Sequence, residues 1–278
     1  MSMDLDEQNP DTQFDCQSAD MGSCSGLLLD HVSRYWWAQD LAVGMDVLDC
    51  ACGRGYGSFI LASSAHSVLG IDLSQRSLEV ARQLFSRQNI EYLQHDVLEV
   101  NGLGRRFDLI TAFEIIEHIP ARMTEKFLSN LSAGLKPGGR LLLSTPNHNV
   151  VRYSGMTIPE YHVNNFSPSR LRTTLEPHFS KVTILGQYRQ RSRLNHLVFS
   201  LDSFNLRHLF FGRLGRLLAN RRAAVMKLVT DESWRKGHPP VEYFTSPPKE
   251  FSGYRFSPWH WRQAGITIAI CEGFRRSK

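Results

Sequence analysis

The chain has 278 residues, 42% of them apolar and 21% charged, enough to bury one large core or a core with an insertion. It holds no run of about 18 apolar residues, so no membrane-spanning helix is expected; its five cysteines (Cys16, Cys24, Cys50, Cys52, Cys271) lack the even number and spacing of a disulfide framework or a zinc site, which points to a reducing cytoplasm. The net charge of +5 is uneven, because Tyr188 to Gln263 carries 14 Lys and Arg against 5 Asp and Glu, whereas the first twenty residues carry six acids and no base.

The acidic start reads as a disordered tail over 1–24, the opposite of the basic start of a secretory leader. From Leu27 to Ala38 apolar residues recur at helical intervals, predicting a helix that ends near Gly44. Val47-Leu48-Asp49-Cys50-Ala51-Cys52-Gly53-Arg54-Gly55-Tyr56-Gly57 then brings two apolar β-formers, an acid, small residues and three glycines at alternate positions, before the helical Ser58-Phe59-Ile60-Leu61-Ala62. That is a strand, a tight turn and a helix. Glycine lets the backbone approach a ligand, and the helix start behind it offers free N–H groups. Dinucleotide enzymes use a similar turn, but Asp49 would repel a phosphate and suits a ligand with an ammonium group and a sulfonium.

Ser67 to Asp72 is a second strand closed by an acid, 19 positions after Gly53, close to the spacing of about 20 at which a carboxylate takes ribose hydroxyls. Ser74 suits the N-cap of a helix with Leu78, Ala81, Leu84 and Phe85 on one face. Ile90 to Val97 gives a third strand ending in Asp96, and Phe107 to Phe113 a fourth. Ligands in open α/β sheets bind beyond the carboxyl ends of the strands, so the next residues, Glu114-Ile115-Ile116-Glu117-His118-Ile119, should face the substrate. A proline-glycine turn over Leu135 to Arg140 precedes a fifth strand, Leu141 to Thr145, and Pro146-Asn147 opens a loop that runs through Tyr161-His162. Lys181 to Gly186 suits a sixth strand and Gly265 to Cys271 a seventh.

The pattern V-L-D-x-A-C-G-x-G-x-G closely resembles the first motif of the class I S-adenosylmethionine (SAM) dependent methyltransferases, and L-K-P-G-G-x-L-x-x-S-T-P-N is similar to a later segment of the same family. Ala51 stands where that family more often has glycine. The resemblance covers about residues 27 to 187 and 264 to 274. It implies a Rossmann-like seven-stranded α/β fold, mostly parallel with strand 7 antiparallel and helices on both faces, formed by 25–187 and 264–278, with 188–263 inserted between strands 6 and 7. It also implies SAM as cofactor. Asp49, Ala51, Gly53, Gly55 and Gly57 would lie at its methionine part, Asp72 and Leu73 at the ribose, and Asp96 and Val97 at the adenine. An Arg-Tyr pair such as Arg34-Tyr35 is often at the methionine end in this family; Tyr35 reads equally well as a packing aromatic.

Methyl transfer from a sulfonium is an in-line displacement, so the protein mainly aligns the nucleophile, and an oxygen nucleophile also needs a base or a metal. Glu114, Glu117 and His118 offer both, since i, i+3 and i, i+4 positions converge on a helix. The E-x-x-E-H pattern resembles small-RNA 2′-O-methyltransferases and quinone-biosynthesis O-methyltransferases that use a metal, and His162 stands where the RNA enzymes have a later histidine. Glu114, Glu117, His118 and His162 are therefore the candidate ligands of Mg²⁺, with Glu114, His118 and His162 the candidate catalytic groups; in a metal-free enzyme His118 would be the base or orient substrate. The expected activity is O-methylation of a small biosynthetic molecule, such as a sugar, polyketide, quinone or lipid-linked acceptor. A metal-dependent RNA 2′-O-methyltransferase and a non-catalytic SAM-fold partner subunit are the alternatives, the first without a recognisable RNA-binding module and the second at odds with three retained acids. In 188–263, Leu206, Leu209, Phe210, Leu214, Leu217 and Leu218 recur at helical spacing among arginines, which suits a solvated basic face or association with a membrane surface, nucleic acid being less favoured. The proline- and aromatic-rich stretch from Gly237 to Trp261 suits a substrate lid.

Overall fold

A computed structural model describes residues 21–154, 158–189, 244–245, 254–258 and 264–274. The chain enters through α1 (Met21–Leu41), which buries Val32, Tyr35 and Ala38. The glycine motif folds as the predicted strand, turn and helix, β1 (Asp46–Cys50) and α2 (Tyr56–Leu61). After β2 (Ser67–Asp72), Ser74 Oγ accepts from the Ser77 N–H at 3.2 Å and so starts α3 (Gln75–Leu84), satisfying one of the donors a helix leaves open. β3 (Ile90–Gln94) leads to a 3₁₀ segment over Val97–Leu103, and β4 (Phe107–Phe113), α4 (Thr124–Ala133) and β5 (Leu135–Pro146) complete the central part. α5 (His148–Ser154), α6 (Pro168–Leu175), β6 (Phe179–Arg189), β7 (Tyr254–Ser257) and β8 (Ile266–Phe274) follow.

The strands form one sheet in the order β3-β2-β1-β4-β5-β8-β6-β7. The first five are parallel, and β8 is antiparallel to both β5 and β6. The expected seventh strand is thus β8, in the expected place and direction. The sheet has eight strands rather than seven, because β7, from within the expected insertion, pairs antiparallel with β6 from Gly186↔Ser257 to Arg189↔Tyr254. β7 closes the β6 edge, and its Phe256 ring stacks on Trp37 of α1 at 4.9 Å, which gives the short strand an apolar footing.

Alternation along the strands sorts the core into two layers. Leu48, Ile110, Leu141 and Leu143 pack with Phe127, Leu128 and Leu131 of α4 and Leu171 and Leu175 of α6. Val47, Leu109 and Leu142 point the other way and pack with Val32 and Ala38 of α1 and Ile60 and Leu61 of α2. Both faces are covered, as a mainly parallel sheet requires. Each fully buried Leu or Ile contributes about 1.5–3 kcal/mol, so truncating Leu109 to alanine costs about 2–5 kcal/mol once the cavity is counted.

Residues 1–20 of the expected acidic tail, the basic helix expected around Leu206 to Leu228 and most of the aromatic stretch lie outside the described residues, whereas residues 21–24, expected as the end of that tail, are the start of α1. Phe244 is described: it is 1% exposed, stacked on Tyr56 at 5.5 Å and set edge-on to Phe85 at 5.2 Å. Among the described residues no helix is long and apolar enough to cross a membrane.

Candidate active site

The carboxyl ends of β1, β2, β3 and β4 carry most of the candidate residues, where an open α/β sheet places its ligand. Gly53 has φ 54, and a Cβ there would meet nothing within 4 Å, so its backbone faces open space. Its N–H donates to Asp72 Oδ2 at 2.8 Å, while Asp72 Oδ1 accepts from the Ser74 N–H at 2.9 Å. Asp72 is thereby fixed beside the glycine turn. Leu73 follows, an apolar side chain 57% exposed. Asp96 is partly exposed, its Oδ1 accepting from the Leu98 N–H at 2.8 Å, and Val97 behind it is buried.

The other motif residues support this edge from beneath. A Cβ on Gly55 would come within 2.6 Å of Ala81 Cβ and Tyr92 Oη, and one on Gly57 within 2.2 Å of the Tyr35 ring. Those glycines make room for packing, and Gly53 makes room for a ligand. Ala51 takes the left-handed region at φ 56, a cost of about 1 kcal/mol held by the fixed turn. Asp49 is fully buried. Its Oδ1 accepts from Tyr35 Oη at 3.1 Å and Thr111 Oγ1 at 2.8 Å, and its Oδ2 from Ser58 Oγ at 2.7 Å. Burial pushes its carboxyl up to about 6 against these hydrogen bonds, which pull it down. Asp49 and Tyr35 therefore fasten α1 and α2 to the strand end, and neither stands on the open wall.

Arg34 is fully buried one residue before Tyr35. Its Nη1 donates to Gln187 Oε1 at 2.8 Å and its Nη2 lies 3.8 Å from Glu114 Oε1, but among the described residues its Nε and Nη2 have no hydrogen-bond partner. Buried guanidinium donors left open in this way suit a carboxylate. With Gly53 open, Asp72 and Asp96 half-buried and Leu73 exposed, the residues present fit SAM, an amino acid joined to a ribose and a base.

Glu114, Glu117 and His118 do not share a helix. Glu114 sits at the end of β4 with φ 53, its N–H donating to Ser144 O at 3.1 Å and its Oε1 accepting from Ser144 Oγ at 2.6 Å. A non-glycine residue in this region costs about 1–2 kcal/mol and persists only where the surroundings impose it. A single 3₁₀ turn, Ile116–His118, follows. Glu117 is 2% exposed; its Oε2 accepts from Thr145 Oγ1 at 3.0 Å and, among the described residues, its Oε1 has no partner. Burial, with the neighbouring Glu114 charge, raises its carboxyl well above the usual carboxylate range.

The loop after β5 brings His162 to this turn. It is anchored by the Asn164 N–H donating to Glu117 O at 3.0 Å and by Asn164 Nδ2 donating to Thr124 Oγ1 at 3.0 Å. His118 Nδ1 lies 3.2 Å from Tyr161 O, and its ring is stacked on Tyr161 at 5.5 Å and edge-on to His162 at 5.0 Å. Desolvation lowers the pKa of both histidines, His162 to about 4, so both rings are neutral near pH 7. Glu117, His118 and His162 each offer a ligand atom, all within 4.8 Å of one another, while Glu114 turns to Ser144 and Arg34 instead. One carboxyl group and two neutral imidazoles, with an orphaned Glu117 oxygen, fit a borderline ion such as Fe²⁺ or Zn²⁺ better than Mg²⁺, which prefers an all-oxygen shell, with the harder Mn²⁺ in between.

Ser58, Thr111, Ser144 and Thr145 had no site role in the sequence reading, although Ser144 and Thr145 belong to the later family segment. Each is a small hydroxyl inside an otherwise apolar element, and that is the signal that could have found them, since a buried hydroxyl needs a partner.

Residues 47–139 match the methyltransferase domain family. A ubiquinone biosynthesis O-methyltransferase of Coxiella burnetii (strain RSA 331 / Henzerling II) is 32% identical over 178 residues, 60% of this chain and 75% of the relative. One from Bordetella avium is 36% identical over 122 residues, 42% of this chain and 50% of the relative. The chain spans between 58% and 75% of the length of its Coxiella relatives. Among solved structures, a SAM dependent methyltransferase from Archaeoglobus fulgidus shares the fold, with TM-score 0.54 and 16% identity over 94% of this chain and 96% of that one.

Proposed function

The chain belongs to the class I SAM-dependent methyltransferases, and we propose that within that family it methylates a hydroxyl oxygen of a small biosynthetic acceptor, of the quinone, polyketide, sugar or lipid-linked kind. The observation that carries this reading is the convergence of Glu117, His118 and His162 at the end of β4, two neutral imidazoles and a carboxyl group where the acceptor would lie. Relatives named as ubiquinone biosynthesis O-methyltransferases support an oxygen acceptor.

The cofactor would supply an activated methyl group on its sulfonium sulfur. Gly53 and the open Arg34 donors would hold its methionine part, Asp72 would accept from the ribose hydroxyls, Asp96 would accept from the adenine amino group, and Leu73 would cover an apolar face. The remaining task is to align the acceptor oxygen and remove its proton. The Tyr161 carbonyl, accepting from His118 Nδ1–H, fixes the tautomer in which Nε2 carries the lone pair. Nε2 would then take the hydroxyl proton directly; where a divalent ion is bound, Glu117, His118 and His162 would hold it, and it would supply a lowered pKa for the hydroxyl. Mn²⁺ and Mg²⁺ are the ions to compare. We place the protein in the cytoplasm, with the basic segment 188–263 as a surface for anionic lipid, from its charge of 14 bases against 5 acids.

The test is calorimetric titration with S-adenosylhomocysteine, followed by methyl-transfer assays on catechol acceptors and on RNA, each with EDTA and with Mn²⁺ or Mg²⁺. Binding together with methylation of the catechol supports the proposal, and the metal arms choose between the two roles of His118. Methylation of RNA alone would replace the acceptor class, and no cofactor binding would leave the partner-subunit reading.

A further inference from the structure

A cavity of about 460 Å³ opens beside the Glu117, His118 and His162 group, within the size range of small-molecule sites. Its walls include His148, Asn149, Asn164, Asn165, Ser167 and Arg170. No carboxylate lines it among the described residues, so its only fixed charge is the Arg170 guanidinium. The cavity shares its walls with the site already described. Asn164 follows His162 by two residues and binds the Glu117 carbonyl, and Ala121, also on the wall, follows His118 by three.

Arg170 is held in one arrangement. Its Nη2 donates to Asn164 Oδ1 at 2.8 Å, its Nη1 to Asn165 O at 2.5 Å, and its guanidinium carbon lies 4.8 Å from the centre of the Phe166 ring. These contacts use one hydrogen on each terminal nitrogen and leave the others to a second partner, on a side chain that stays exposed. A guanidinium fixed beforehand loses little freedom when it takes a carboxylate or phosphate in two parallel hydrogen bonds. His148 also lines the cavity, and among the described residues its buried Nδ1 has no hydrogen-bond partner. The ring is placed by its own backbone, whose N–H donates to Phe166 O at 2.9 Å. Polar nitrogens buried without a partner are rare, and a turn of this half-buried ring toward the cavity would let a bound oxyanion satisfy it.

We propose that this cavity binds an oxyanion, a carboxylate or a phosphate, on the acceptor molecule, with Arg170 as its anchor and His148 as a second donor. The proposal rests on the methyltransferase reading only in assigning the oxyanion to the acceptor. It narrows the acceptor to a molecule whose hydroxyl and anionic group are close enough to span from the histidine cluster to Arg170.

The full chain, with and without saturating S-adenosylhomocysteine, is titrated calorimetrically with benzoate, phenyl phosphate and the neutral phenol. At least one anion is expected to bind ~10-fold or more tightly than phenol, the stronger of the two naming the source of the oxyanion. Arg170→Gln should abolish that preference, Arg170→Lys should keep part of it, and His148→Gln should reduce it, all with S-adenosylhomocysteine affinity and melting temperature unchanged. The inference is overturned if neither anion outbinds phenol, or if the preference survives in a folded Arg170→Gln variant. Absence of cofactor binding with an intact anion preference would instead defeat the methyltransferase reading alone.

Discussion

Nη2 of Arg34, on a fully buried side chain of α1, lies 3.8 Å from Oε1 of Glu114 at the strained end of β4. The same guanidinium reaches Gln187 of β6, whose Nε2 donates back to Asp30 O at 2.7 Å and Ser33 Oγ at 2.8 Å. One buried cation thus ties the first helix to two strands on the cofactor side of the sheet.

Removing one member of a buried charge pair leaves the other uncompensated, which costs about 3–5 kcal/mol. Arg34→Ala should therefore lower the unfolding free energy by roughly that amount and weaken S-adenosylhomocysteine binding. Arg34→Met combined with Glu114→Gln should recover part of the stability while cofactor affinity stays low. Chemical denaturation and calorimetry read the two effects apart; equal recovery of both would remove Arg34 from the cofactor site.

Two glycines four residues apart should respond differently. Gly57→Ala drives a methyl group into the Tyr35 ring, 2.2 Å away, and should destabilise the fold by about 1–3 kcal/mol or more. Gly53→Ala meets open space, so beyond about 1–2 kcal/mol for its positive φ the loss should appear in cofactor affinity. Thermal unfolding beside ligand titration checks both, and a Gly53→Ala protein with full affinity would contradict the placement.

The buried carboxyl of Asp49 has its pKa raised from 3.8 to about 6. The folded chain holds this proton more tightly than the unfolded one, so the resulting stabilisation is complete below about pH 4 and disappears as pH rises through 6, a change of about 3 kcal/mol. Asp49→Asn cannot titrate. The stability of the wild type relative to this variant should fall by about that amount between pH 4 and pH 7, as read by urea denaturation at each pH. A difference that stays flat would mean that Asp49 is ionised throughout.

Glu117→Gln and His162→Ala remove donors from the three-residue group and should cut turnover by about 10²–10⁴-fold. Cofactor affinity should hold, because neither residue touches the cofactor edge. If an ion is used, Mn²⁺ binding by calorimetry should vanish with turnover; loss of turnover with Mn²⁺ affinity intact would leave these groups to proton transfer alone.

Asp72→Ala removes the carboxylate that fixes the Gly53 and Ser74 N–H groups. S-adenosylhomocysteine affinity should fall about 10- to 100-fold with little loss of stability, since the side chain is partly exposed and the freed N–H groups can reach water.

Much of the fold was legible because it rests on local pattern. Val47-Leu48 before small residues made β1, the Ser74 hydroxyl started α3, and the run to Cys271 made the antiparallel strand. β7 was not legible, since Tyr254–Ser257 is four residues long in a segment dominated by aromatics and charge, and its strand character comes from pairing with β6. Spacing suggested that Glu114 joins Glu117 and His118 on a helix. Ser144, 30 residues away, captures Glu114 through both backbone and side chain and leaves a 3₁₀ turn in its place. Asp49 looked like a ligand because it belongs to the glycine motif of the resembled family and suits an ammonium group and a sulfonium. Its three donors, Tyr35, Ser58 and Thr111, lie 14, 9 and 62 positions away, so only the folded chain brings them together.

The antiparallel β8 sits between β5 and β6, pairing Arg140 with Glu272 and Lys181 with that same Glu272. A ribosome releases β5 and β6 long before it releases β8. Until residue 274 has cleared the exit tunnel, the nascent sheet has a gap one strand wide, with unpaired backbone on both sides, at the strand that carries Thr145. Such edges recruit other chains, and long-range pairing of this kind closes slowly. Synthesis stalled just before Ile266 should therefore leave a polypeptide that already has its glycine turn and its ribose acid, yet depends on chaperones to stay unaggregated.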